Sequence, residues 1–233
     1  MAFHQRSISL PSRPHVSETE VEQELHSLEA SISSSNSISM MCDGLRTLAN
    51  IYDGLDEIIR LPSHQVCSSQ QRKMLDGEME CSIELLDLCN YMQETFAEMM
   101  AIIQELQVAL RKGDDTAVQA KIQSFTRLAK KARKHFKKIA KKPASDKMAM
   151  LLTKAREICS SLLESTLHLL SKQIEMPKQS LVYKAFYMKK ALVCEEEQLL
   201  ELKCTLGDLQ NGAGTLFRKL VQNRVSLLNI LSS

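Results

Sequence analysis

The stretch "MQETFAEMMAIIQELQVALRKG", Met92 to Gly113, decides the fold. Within it Met92, Phe96, Met99, Ile103, Leu106 and Leu110 recur at alternating spacings of four and three, the seam of a packed helix. Leu86, Leu88, Met100 and Ile102 beside that seam widen the apolar stripe beyond what one partner helix can cover. Several helices must therefore surround it. The pattern reaches back to about Met74 and stops at Gly113, a helix of about 60 Å at about 1.5 Å per residue. An element of that length predicts an elongated body.

The same periodicity continues in both directions. Downstream, Asp114 or Asp115 caps a fourth helix that runs to Pro143 on a seam of Ile122, Phe125, Ala129, Ala132, Phe136 and Ile139. Ser145 opens a fifth, with Met148, Leu152, Ala155, Ile158, Leu162 and Leu169 inside, ending by Pro177. The last, Ser180 to Leu231, keeps helical spacing through Leu199, Leu206, Leu209, Leu216, Leu220 and Leu227, and "NGAG" (Asn211–Gly214) is expected to divide it. Upstream, a second helix carries Met41, Leu45, Leu48, Tyr52, Leu55 and Ile59, is weakened by Gly44 and Gly54, and stops before Pro62. The first begins at a capping box, Ser17 with Glu20, beside a hydrophobic staple of Val16 and Val21, and ends in the serine run Ser33–Ser35.

Composition agrees. Aromatics are 4%, Trp is absent and Gly numbers seven in 233 residues, which starves both strands and tight turns. The fold class read from these patterns is all-α: an elongated bundle of long antiparallel helices, with a flexible N-terminal arm over residues 1–16 and a single helical domain over 17–233. Seven Cys, without a C-x-x-C pair, indicate reduced thiols in a cytosolic or nuclear setting. The longest charge-free stretch, Ala30–Cys42, is too short and too rich in Ser to span a membrane. The first seventeen residues have the Arg and Ser content of an organelle transit peptide, but the capped helix that follows at once argues against import.

Three stretches carry a resemblance: "RSISLPSRPH" (Arg6–His15), "NIYDGLDEIIRLP" (Asn50–Pro62) and "FRKLVQNRVSLLNILSS" (Phe217–Ser233). Together, in this order and at both ends, the chain resembles the plant BYPASS-like family of helical proteins, departing from the family opening at Val16. The resemblance implies a plant protein of root and shoot development, and brings no reaction, ligand or catalytic residue with it.

Enzyme signatures are absent: there is no G-x-G-x-x-G, P-loop, H-E-x-x-H or G-x-S-x-G. The six His are scattered, and His168 reads as a helix residue on or beside an apolar face, not a ligand. The Cys and the twelve Met read as core filler, Cys89 lying on the third helix's seam. No cofactor, metal or small-molecule substrate is implied, and the chain is read as non-enzymatic.

Charge is the more informative pattern. Thr116 to Ser145 holds ten Lys and Arg and no acid, whereas Met74 to Leu110 holds eight acids and no base. With Phe96 and Met99 as a and d, Glu80, Glu84, Asp87, Glu94, Glu98 and Glu105 fall at c or f. With Ile122 and Phe125 as a and d, Arg127, Lys130, Lys131, Lys134, Lys137, Lys138 and Lys141 fall at b, c or f. Interhelical ion pairs come from e and g, so the stripes are expected to face outward and not each other. The basic ridge is then either a solvated face or a surface for an anionic partner, a membrane or nucleic acid.

The arm carries Arg6, Ser7, Ser9 and Pro11 in the R-S-x-S-x-P pattern that 14-3-3 proteins read once the second serine is phosphorylated. The alternative is that Leu10 and the prolines dock the arm on the bundle. Taken together, the residues and the resemblance point to a non-enzymatic interaction and regulatory protein, with a peripheral membrane or nucleic-acid-binding module as the alternative.

Overall fold

The computed structural model describes residues 16–34, 36–61, 68–134, 147–173 and 188–232, with side chains of the last stretch from Glu196 onward. Six helices and no strand occur among them: α1 Glu18–Ser34, α2 Ile38–Ile59, α3 Ser69–Lys112, α4 Asp115–Arg133, α5 Lys147–Gln173 and α6 Met188–Ser232. The all-α bundle expected from periodicity is what the chain adopts.

Local signals set the helix ends. Ser17 and Glu20 close the capping box, with Ser17 N donating to Glu20 Oε2 at 2.8 Å and Glu20 N to Ser17 Oγ at 3.2 Å. Val16 packs on the core beside buried Val21. The third helix starts five residues before Met74, because Ser68 and Gln71 form a second capping box. It stops at Gly113, whose φ of 67° is the left-handed conformation that glycine adopts freely. Asp114 is the cap of α4, its side chain accepting from Ala117 N at 2.9 Å.

Four helices make the core. α6 packs between α2 and α3, and α5 lies against both α2 and α3 on the other side. α1 covers the α2–α5 groove and α4 the α3–α5 groove. Register follows from the cross-links. Asp53 with Lys219 and Asp56 with Ser226 set α2 and α6 parallel. Gln93 beside Gly214, and Met79 with Arg224, set α3 and α6 antiparallel.

One contiguous apolar cluster runs through all six helices. α3 touches three neighbours, as its wide stripe requires, but α2 is the more enclosed, with 14 of its 22 residues buried. Its Leu45, Leu48, Ile51 and Leu55 are fully covered, each contributing about 1.5–3 kcal/mol of transfer free energy.

The expected break at Asn211–Gly214 does not occur, and α6 is continuous through it. A side chain at Gly212 would place its Cβ 3.1 Å from Leu45 Cβ, and one at Gly214 would meet Gln93 Oε1 at 3.0 Å. Gly212 lets α6 approach α2 closely, and packing there offsets its poor helix propensity.

Candidate functional site

Two places concentrate functional chemistry: a layer of buried polar side chains in the core, and the outer face of α4.

The buried layer begins on α2. Asp56 is only 2% exposed, and its carboxylate accepts from Ser226 Oγ at 2.5 Å and from Gln222 Nε2 at 2.8 Å. The Arg60 guanidinium pairs with it at 2.7 Å and donates through Nε to Ser226 Oγ at 3.1 Å. One turn earlier, at the half-exposed edge of the layer, Asp53 takes the Lys219 ammonium at 2.5 Å. On α3, Glu78 is 8% exposed, accepts from Thr153 Oγ1 at 2.8 Å and forms an ion pair with Arg156 at 3.6 Å. That separation is within Coulombic reach and too long for a hydrogen bond. Arg224 crosses from α6 to donate to the Met79 carbonyl and to Ser82 Oγ.

Between these groups lies a cavity of about 20 Å³ lined by Tyr52, Glu78, Ser82, Arg156, Asn223 and neighbouring leucines. Asn223 is 4% exposed and its Nδ2 makes no hydrogen bond within the protein. The space suits one water and is far below the size of a metabolite site. Burial, with the negative charge of nearby groups acting in the same direction, holds the Tyr52 hydroxyl well above its ordinary pKa. Cys159, hydrogen-bonded to Cys89 in the same interior, is likewise pushed up by that bond and by burial. Both favour the neutral form, which suits structural groups and not nucleophiles.

This layer joins two of the stretches singled out in the sequence. Asp53, Asp56 and Arg60 stand in "NIYDGLDEIIRLP"; Lys219, Gln222 and Ser226 stand in "FRKLVQNRVSLLNILSS". Segments some 170 residues apart meet here side chain to side chain. Residues 44–230, about four-fifths of the chain, match the family described as Protein BPS1. The chain belongs to the BPS1 family. No curated protein and no solved structure matches it. The BPS1 match takes in the whole of the first of these stretches and residues 217–230 of the second, and leaves "RSISLPSRPH" outside.

The second place is α4. Phe125, Ala129 and Ala132 are buried, while Arg127, Lys130, Lys131 and Lys134 are exposed on the other side. Lys137, Lys138 and Lys141 lie outside the described residues, as do Arg6, Ser7, Ser9 and Pro11 of the arm. On α3 the acids Glu80, Glu84, Asp87, Glu94, Glu98 and Glu105 are exposed. Lys121 of α4 and Glu105 of α3 form an ion pair across the hairpin. Arg133 turns instead toward Glu164 of α5, 4.0 Å away.

Among the described residues no group of three or more His, Cys, Asp or Glu is placed to hold a metal. No helix there is long and apolar enough to cross a membrane. His168 is exposed.

The buried layer is what sequence reading missed. One signal was available: in the register with Phe96 as a, Glu78 falls at d, an acid on the seam itself. Asp56 and Asn223 gave none, because their burial depends on which helix lies opposite.

Proposed function

We propose that this BPS1-family chain is a non-enzymatic interaction and regulatory protein of plant development, by family resemblance in root and shoot. It acts through partners that read its charged outer faces and its N-terminal arm, in a cytosolic or nuclear setting. What carries the reading is the segregation of charge. The buried acids Asp56 and Glu78 are engaged by partners inside the bundle, whereas Arg127, Lys130, Lys131 and Lys134 of α4 are exposed. Buried networks of this kind fix helix register.

The arm is the phosphoserine-dependent element of the proposal. A Ser9-phosphorylated peptide spanning Arg6 to Pro11 is expected to bind 14-3-3 proteins and the unphosphorylated peptide is not; equal affinity of the two sinks this part.

A second reading is favoured by the exposed bases themselves: α4 holds an anionic membrane surface or nucleic acid. Each base near an anionic surface contributes about 1 kcal/mol. Neutral and anionic vesicles, and duplex nucleic acid, are compared at low and physiological salt, using wild type and a variant with Arg127, Lys130, Lys131 and Lys134 all changed to Gln. Salt-sensitive binding lost in the variant supports this second reading. Partner capture from plant extract that is unchanged by the same variant places recognition elsewhere on the surface.

A further inference from the structure

Half of the exposed large apolar side chains of the described residues stand single: Met40, Val108, Met150 and Leu200 have no exposed large apolar neighbour one turn away, which is ordinary for a surface. The C-terminal half of α6 differs. Val221 is 40% exposed, Val225 51% and Leu228 44%, at spacings of four and three along one face. Arg224, inside this run, bridges to Met79 O and Ser82 Oγ, which sets the run beside the α3 turn carrying Ile83, itself 47% exposed. The four side chains offer roughly 300 Å² of apolar surface, the range in which the largest patch on a protein is often functional.

The two rims of this patch carry opposite charge. On α3, Ile83 has exposed Glu80 and Asp87 one turn away on either side. On α6, exposed Arg218 precedes Val221 by one turn, donating Nη2 to Thr215 Oγ1 at 3.0 Å, and no acid occurs from Leu209 to the final Ser233. A face with an apolar centre, one acidic rim and one basic rim matches itself when rotated about a two-fold axis parallel to its helices.

We propose that this face docks a second copy of the chain, with α6 of each copy laid over α3 of the other. The antiparallel register supplies the pairing. Gly214 is level with Gln93, and Arg224 with Met79 and Ser82, so Arg218 stands level with Asp87 and Val221 close to Ile83. A two-fold axis along the bundle preserves height. It sets Arg218 of one copy against Asp87 of the other, twice, around a centre of Val221, Val225, Leu228 and Ile83. The apolar centre is less than half of the roughly 800 Å² per partner of a standard interface, so the dimer is weak, with a dissociation constant in the micromolar range.

Sedimentation equilibrium of the full chain in reducing buffer, over micromolar concentrations, tests this. Wild type forms dimers. Val225→Asp weakens association at least tenfold with helicity unchanged, and Leu200→Asp, an exposed leucine elsewhere on α6, leaves it intact. Arg218→Glu alone and Asp87→Arg alone each weaken the dimer, and the two together restore it. Both residues are exposed, so this exchange decides the matter even if Val225→Asp fails to fold. A wild type that stays monomeric to several hundred micromolar overturns the proposal, as does a charge exchange without recovery. A monomer that instead sediments with anionic vesicles through Val225 overturns the second copy as occupant.

Discussion

Replacing Asp56 by Ala tests whether the polar layer holds the two family stretches together. The carboxylate is 2% exposed and receives Ser226 Oγ, Gln222 Nε2 and the Arg60 guanidinium. These three losses are unequal. Arg60 is 57% exposed, so water replaces its partner and that pair contributes less than about 1 kcal/mol. Ser226 is 4% exposed and Gln222 is half-buried; each is left with a donor facing a void, at about 1–2 kcal/mol. The sum is about 3 kcal/mol, a large share of a total stability of about 5–15 kcal/mol. For a chain of this size that lowers Tm by about 6–12 °C. Asp56→Asn, which keeps one acceptor, costs about half as much. Urea denaturation followed by far-UV circular dichroism reads both, and Ser226→Ala in the Asp56→Ala background should cost less than in wild type because the two share a bond. A change for Asp56→Ala within about 0.5 kcal/mol, the range of ordinary surface substitutions, would falsify the argument.

Three further outcomes follow from the same structure. Arg156→Met strands the Glu78 carboxylate, 8% exposed, in the core and costs about 3–5 kcal/mol, whereas Arg156→Met together with Glu78→Leu costs less than either change alone; a double-mutant cycle of urea midpoints measures it, and additivity refutes it. Gly207→Ala, with no neighbouring atom within 4 Å, stabilises α6 by about 1 kcal/mol. Gly212→Ala on the same helix does not, because its Cβ would stand 3.1 Å from Leu45 Cβ. Equal thermal shifts for the two would contradict the close approach of α2 and α6. Among the described cysteines, exposed Cys204 reacts first with a thiol reagent in the native state and Cys42, Cys81, Cys89 and Cys159 wait for unfolding. Burial, aided by Asp208, pushes the Cys42 thiol up to about 11 from an ordinary 9.0. The unfolded chain therefore releases that proton first, and the Cys42 contribution to stability declines as pH rises from about 9 to about 11. Cys42→Ala, compared with wild type by denaturation across that interval, should flatten the decline.

Much of the fold was legible because helix formation and amphipathicity are local. The spacing of Met92, Phe96, Met99 and Ile103 is enough to require a buried stripe, and Ser17 with Glu20, Asp114 and Gly113 act on backbone groups within one turn of themselves. The outward placement of Lys130 and Lys134 follows from the same periodicity once Phe125 and Ala132 are inside. Tertiary structure alone decided the rest. Asn211–Gly214 carries a break signal, but the approach of Leu45 makes a small residue the one that fits a continuous helix at Gly212. Asp56, Glu78, Arg156 and Asn223 look like solvent-facing residues until α2, α3, α5 and α6 close around them. Burial of a polar side chain is set by what packs opposite, and that partner lies up to 170 residues away along the chain.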